Sequence, residues 1–299
     1  MPKVRIPQIL WAAALSIMPT TMLAGATLGG GPARTTSTSP AKMATVAPEP
    51  AGTLDLSYEM RFWFIPFGHT TYRGIFVNNT YQASSYFKTS GLVSVFWQAE
   101  IDASASGNVG GHNVAPAVYD SYYRRGSEKK QRVKLTYKPD QPPELLAAPA
   151  YDIQKYPVPP EEQTAGVDPM SAVTLIVAGL RADENNPCGT VAPVFDGRRR
   201  YNIDFSFIKD QPVKLDNGIY NGTAHLCEMR YRQIAGYKPK MLKEGQAWPP
   251  IYALVANIAD ARAPLGRYLV PLKLWAKTSW GTVTVDLSKL KTGSAADKS

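Results

Sequence analysis

Few residues in this chain have types and spacings that could do chemistry. They are two cysteines, a histidine close to the second of them, and three arginines that follow an Asp-Gly pair. Cys188 and Cys227 are the only cysteines in 299 residues. An exported chain with two cysteines most directly joins them in a disulfide. The enclosed loop of about 40 residues would then contribute roughly 4 kcal/mol in the chain-entropy model. His225 stands two positions before Cys227, so in a strand both side chains share a face. With Cys188 they offer three zinc-type ligands as the competing use. That spacing fits no standard zinc site and lacks an evident fourth ligand, so no metal is expected.

Arg198, Arg199 and Arg200 follow Asp196-Gly197. In a strand Arg198 and Arg200 share one face and could grip a phosphate or carboxylate. The simpler use is a charged strand entry paired with nearby acids. His69 and His112 fall beside a turn and in a glycine-rich stretch, with no partner motif. Gly-x-Ser-x-Gly, Gly-x-Gly-x-x-Gly and a phosphate-binding loop are all absent. No catalytic residue and no cofactor is therefore expected. Should the chain hydrolyse an envelope polymer, Asp196, His225 and Arg200 are the first acid–base candidates.

The N-terminus gives the address. Lys3 and Arg5 precede a short apolar run, Ile9 to Met18, and Ala24-Gly25-Ala26 resembles a cleavage site. Residues 1–26 read as a signal peptide and place the mature protein in the periplasm. The apolar run is too short to span a bilayer and no later stretch approaches that length. A soluble, non-spanning protein is expected. Removing Lys3 and Arg5 takes the formal charge from +9 to about +7. Such an excess suits peripheral contact with anionic envelope surfaces. No stacking motif accompanies the charges, which argues against nucleic acid.

Positioning these residues falls mostly to strands. Residues 27–52 are rich in Thr, Ser, Pro and Ala and read as a disordered linker. Leu54, Leu56, Tyr58, Met60, Phe62 and Phe64 then alternate with polar residues, a period of two. Strands follow near 70–78 and 80–89, joined at Asn78-Asn79. Gly91 opens an apolar stretch read as a strand through Ile101. Residues 102–131 read as loop, 132–138 as strand, and the proline-rich 139–167 as a long surface excursion. Asp168 and Pro169 suit the start of a helix over 168–181, apolar nearly all round and so buried. Strands resume at 191–195 and 199–208 around the Asp196-Gly197 turn. Others lie at 220–233, 251–258, 267–277 and 281–287, with a flexible tail over 289–299. The count is ten to twelve strands and one helix, in a single domain over 53–288.

These landmarks resemble a bacterial exported family known as domain of unknown function 3108. The resemblance is carried by Leu56-Ser57-Tyr58, Tyr72-Arg73-Gly74, Ser90-Gly91-Leu92, Asp168-Pro169-Met170-Ser171 and Cys188. It continues through Phe195-Asp196-Gly197-Arg198-Arg199-Arg200-Tyr201, Cys227, Ala235-Gly236-Tyr237 and Val270-Pro271, over about 54–287. It implies a long antiparallel sheet curled into an open barrel or β-spiral around one buried helix, and it supports the disulfide. It is similar to alphaproteobacterial envelope-integrity proteins, which are regarded as non-enzymatic. The implied role is support of the cell envelope by binding a lipid-like ligand or a partner protein. Tyr58, Phe62, Tyr201 and Phe205 are the candidate cleft residues.

Overall fold

The computed structural model describes residues 52–294 apart from 92–93, 95–97, 127–128, 153–154, 190 and 246–247. The expected signal peptide and all of the expected linker except Gly52 lie outside the described residues. Thirteen strands form one antiparallel sheet. They are β1 (Gly52–Phe62), β2 (Ile65–Val77), β3 (Thr80–Thr89), β4 (Ala99–Gly110), β5 (Asn113–Arg125), β6 (Lys129–Thr136) and β7 (Glu144–Ala148). After the helices come β8 (Val191–Phe195), β9 (Arg200–Lys214), β10 (Asn221–Ala235), β11 (Ile251–Ala259), β12 (Arg267–Thr278) and β13 (Gly281–Ser294). The order in space is β7-β6-β5-β4-β3-β2-β1-β13-β12-β11-β10-β9-β8. The first strand thus sits mid-sheet, zipped to the last, and β7 and β8 are the two edges. No ladder joins those edges among the described residues. The expected open, mainly β architecture is what the chain adopts.

Three helices are described: α1 (Pro160–Ala165), α2 (Pro169–Val177) and α3 (Pro239–Gly245). The helix expected over 168–181 is α2. It stops at Val177, and Gly179 follows with φ 63°, a left-handed conformation that favours glycine at a helix end. Its buried face includes Met170, Ala172, Leu175 and Val177, packed inside the curl of the sheet.

Several expectations need correction. Residues 102–131 are not loop: β4 and β5 make a long hairpin turning at Gly111. On β4 most inward positions are small, with Ala99, Ala103 and Ala105 alternating with Glu100, Asp102 and Ser104, whereas β5 turns Tyr119 and Tyr123 inward and carries Val118 and Tyr122 on its other face. Small inward residues leave room for α2, and they hide the alternation from a reading keyed to large apolar side chains. The strand expected from Gly91 begins only at Ala99. Gly91 has φ 65° and Ser94 Oγ donates to its carbonyl at 2.7 Å, which turns the chain. The excursion over 139–167 contains β7 and α1. The tail expected from 289 is strand as far as Ser294, because its backbone pairs with β1 down to Gly52. The polar side chains of that stretch disguised a ladder that depends on backbone groups alone.

Cys188 and Cys227 are bonded, with Cα atoms 6.1 Å apart. They tie the segment after α2 to β10 within a small cluster of Ala182, Ala253, Val255 and Leu269. This removes the competing zinc use of the two thiolates with His225. The double substitution Cys188→Ala/Cys227→Ala opens a loop of sequence separation 39. Urea denaturation should show an unfolding free energy lower by about 3–4 kcal/mol. An unchanged midpoint would contradict this.

Candidate functional site

The site begins with the start of α2. Asp168 is fully buried, an unusual place for a carboxylate. Its Oδ1 accepts the Ser171 N–H at 2.8 Å, an N-cap, and its other oxygen meets the Ser171 hydroxyl. The Tyr81 and Ser171 hydroxyls are 2.5 Å apart. One turn on, Thr174 Oγ1 donates to the Met170 carbonyl at 2.9 Å and lies 3.1 Å from the Tyr72 hydroxyl. Ser171 and Thr174, three apart, share a helix face. Two hydroxyl contacts thus fasten α2 to β2 and β3. Desolvation pushes the Asp168 carboxyl up to about 6, although the hydrogen bonds from Ser171 oppose it. At its other end, His112 Nδ1 lies 2.8 Å from the Leu180 carbonyl, and Arg181 donates to Asn113 Oδ1 at 3.0 Å. The turn after α2 is therefore held to the β4–β5 hairpin.

Beside α2 lies a cavity of about 340 Å³. Val173 and Ile176 of the helix form one wall. Met60, Phe87, Ile101, Ile251 and Val285 line the part nearest the strand ends remote from the β4–β5 hairpin. Tyr58, Tyr72, Tyr119 and Tyr201 also line it, and burial raises each of their hydroxyls above the ordinary phenol value. They stay neutral. The chamber is apolar with scattered hydroxyls, the usual composition of a small-molecule site.

Of the four candidate cleft residues, Tyr58, Tyr201 and Phe205 line this cavity. Phe62 does not. It stacks on Trp63 with ring centroids 5.8 Å apart, at the strand end. The arginines do not form an open anion grip. Arg200 is buried, donating to the Tyr201 carbonyl and Asn202 Oδ1 at 2.6 Å each, with Glu162 Oε2 3.2 Å away. Arg198 lies over the Tyr151 ring and Arg199 over Tyr237. Asp196 accepts the Arg198 and Arg199 amides at 2.9 and 2.6 Å, so its role is in the turn. His225 pairs with Asp210 across β9 and β10. Asp210 and Arg200 stand ten positions apart on β9, which at about 3.3 Å per residue is about 33 Å. The Asp196, Arg200 and His225 set therefore does not converge. Ser85 and Lys88 stand in Ser-x-x-Lys spacing on β3, but residues three apart in a strand face opposite sides. Lys88 instead pairs with Glu100 at 2.9 Å.

A family model described as a protein of unknown function, DUF3108, matches residues 57–288. The chain belongs to this family. A crystal structure of a beta-barrel-like protein of domain of unknown function DUF1849 from Brucella abortus is similar, at 12% identity and a TM-score of 0.46. The match covers 83% of this chain and 99% of that one. Among curated proteins nothing matches. The landmarks of this DUF3108 chain acquire physical meanings. Asp-Pro-x-Ser is the buried cap of α2. Gly197, with φ 89°, lets the β8–β9 turn press on β7, where a Cβ would sit 2.8 Å from Leu145 Cδ1. Gly236, with φ 86°, abuts the Arg198 carbonyl, where a Cβ would sit at 2.3 Å. Pro271 has no N–H to donate, and the β11–β12 register slips opposite it at Leu254/Val255. Of Tyr72, Tyr81, Ser171 and Thr174, the first and third entered the sequence reading only as landmarks of the resemblance, and the other two were not singled out. The signal for two of them was present: two hydroxyls three apart on an otherwise apolar helix.

The carboxyl of Asp168 binds a proton more tightly folded (about 6) than in an unfolded chain (about 4). Its contribution to stability is thus complete below pH 4 and is lost as pH rises through 6. Two units correspond to about 3 kcal/mol. Asp168→Asn retains an oxygen for the Ser171 amide and cannot ionise. Urea denaturation from pH 4 to 7 should show wild type losing about 3 kcal/mol relative to this variant. A constant difference across that range would refute the assignment.

Proposed function

We propose that this protein acts in the periplasm as a non-enzymatic factor of the cell envelope, holding a lipid-like apolar ligand in the cavity beside α2. The observation that carries the reading is the cavity: about 340 Å³, walled by Val173, Ile176, Met60, Phe87, Phe205 and Val285. This falls at the lower end of the range of small-molecule sites, roughly 300–1,000 Å³. At about 30 Å³ for each water-sized group, it takes on the order of ten carbons. A segment of acyl chain fits such a volume, with the head group left outside. Neutral tyrosine hydroxyls around the wall would orient the ligand. The periplasmic address draws support from the charged and apolar pattern of residues 1–26 and from a disulfide, which persists in oxidising compartments. The non-enzymatic reading draws support from the separation of the acid–base candidates.

Val173 faces the cavity, so Val173→Phe adds volume where there is room for it. Protein purified from the periplasm should release fatty acyl species on organic extraction, detected by mass spectrometry. It should also bind a dansyl-labelled fatty acid, and Val173→Phe should weaken that binding about tenfold or more while keeping the wild-type melting temperature within a few degrees. Wild-type protein that releases no acyl species and leaves the probe unbound would sink the reading.

A further inference from the structure

Strand direction sorts the turns of an antiparallel sheet onto two ends. One end carries the β2–β3, β4–β5, β6–β7, β9–β10 and β11–β12 turns. The other carries the β1–β2, β3–β4, β5–β6, β8–β9, β10–β11 and β12–β13 connections. The two ends differ sharply in chemistry. The most exposed large apolar side chains among the described residues are Phe64 at 80%, Trp280 at 67% and Trp63 at 57%. All three stand on the second end, in two turns that touch. The Trp63 amide donates to the Thr282 carbonyl at 2.7 Å, and a Cβ on Gly281 would lie 2.1 Å from Trp63 Nε1. The Trp63 ring is thus seated on a glycine, between β1 and β13, while Phe64 and Trp280 project from the rim. The opposite end carries one such exposed side chain, Leu265 at 40%.

The charges follow the same division. Lys277 stands at the base of the β12–β13 turn, next to the aromatic knob. Exposed Arg125 and Lys130 flank it along the rim on the β5–β6 side, and Lys238, Lys240 and Lys243 on the β10–β11 side. Among the described residues of the turns at this end the acids are Glu244, 3.7 Å from Lys240, and Asp196, which stands beside Arg198 and Arg199 in the β8–β9 turn. Turns at the opposite end mix the two signs, with Asp140, Asp216 and Asp260 beside Lys138 and Arg262. Indole and phenyl rings set among cations are what the interface of an anionic bilayer accepts: rings at head-group depth, cations on the phosphates. The cavity lies on the same side of α2, since Met60, Phe87, Ile101 and Ile251 come from the ends of strands at this rim.

We infer that the rim formed by Trp63, Phe64, Trp280, Lys277, Arg125 and Lys130 is a docking surface for an anionic phospholipid bilayer. It gives the cavity's ligand a source, and to that extent it deepens the reading of the cavity as a lipid site. Its occupant is the membrane surface, held by reversible insertion of the aromatic knob and by attraction to phosphate.

The test is co-sedimentation of protein purified from the periplasm with phosphatidylglycerol vesicles and with phosphatidylcholine vesicles. Wild type should partition onto the anionic vesicles, with the tryptophan emission shifting to the blue. Binding should fall about tenfold or more in 0.5 M salt and about as much in Phe64→Ser/Trp280→Ser. Lys277→Glu/Lys130→Glu should weaken it while leaving the aromatic knob intact. Leu146→Ser, which removes an exposed apolar side chain on β7 instead, should bind as wild type. A circular dichroism melt equal to wild type establishes that each variant is folded. No binding to phosphatidylglycerol would overturn the inference. So would rim variants that bind undiminished, or a rim that serves instead to pair two copies of the chain in solution. The dansyl fatty acid separates the two ideas: rim variants should still bind it, and a failed cavity leaves vesicle binding untouched.

Discussion

An open sheet of this length has to be held in its curl by something other than its own ladder. The two edges, β7 and β8, do not pair, so backbone hydrogen bonds alone leave the curvature free to relax. The contact that fixes it is the buried start of α2. The Asp168 carboxylate holds Ser171, whose hydroxyl meets that of Tyr81, and Thr174 meets Tyr72 in the same way. Each is a polar group in an apolar interior, expensive unless satisfied. Because they satisfy one another, they specify one position for the helix. A purely apolar helix could slide along an apolar wall at little cost. A second brace lies at the far margin, where Gly197 lets the β8–β9 turn press on Leu145 of β7. One edge of the sheet therefore rests on the other without forming a ladder to it.

The fold was legible in the sequence wherever large side chains alternate with polar ones. Leu54 through Phe62 and Tyr201 through Phe207 are strands for that reason. Where the interior is occupied by α2, the sheet must recede, and Ala83, Ala103 and Ala105 replace large residues. On β4 alternation survives with little hydrophobic contrast, and on β5 Tyr119 and Tyr123 face inward while Val118 and Tyr122 take the other face, so neither strand shows the pattern cleanly. The last residues of β13 were hidden for a different reason. Lys289, Lys291 and Thr292 hold their places by pairing with β1, and no apolar pattern is needed for that. The candidate site was legible in part. Tyr58, Tyr201 and Phe205 face the cavity because inward positions of neighbouring strands converge there. Phe62 occupies the same phase of its strand but lies too near the end, where the knob begins. The arginines misled because an Asp-Gly turn followed by cations looks the same whether its guanidinium groups face solvent or pack on Tyr151, Tyr237 and Glu162.

The landmarks of the family cluster at joints. Asp168 and Ser171 fasten the plug. Gly197 and Gly236 occupy left-handed conformations; a Cβ would meet the Leu145 side chain at the first and the Arg198 carbonyl at the second. Cys188 and Cys227 bind the return from the plug to β10. Pro271 marks a slip in the ladder next to the cavity. None of these residues presents a reactive group to a shared space. Other landmarks, Tyr58, Tyr72, Asp196 and Tyr201, line the cavity itself.

The interior also has a direction. One end is closed by α2 and the turn that follows it, tied through Leu180 and Arg181 to the β4–β5 hairpin. At the other end a second cluster of buried side chains, with Met60, Phe67, Phe87, Ile101 and Tyr123, borders the cavity. Volume of this kind, if left unfilled in an apolar core, costs about 24 cal/mol per Å³. For about 340 Å³ the cost is on the order of 8 kcal/mol. That is comparable with the whole stability of an ordinary domain, roughly 5–15 kcal/mol. Filling it would need only larger residues at Val173, Ala103 or Ala253, each a single-step change. Small residues at those positions keep the space open, and the exposed aromatic rings gather at the end the chamber approaches. The disulfide and the buried cap both sit on the α2 side of the chamber, so the covalent and polar fastenings hold the helix while apolar packing alone holds the Met60, Phe87 and Ile101 end.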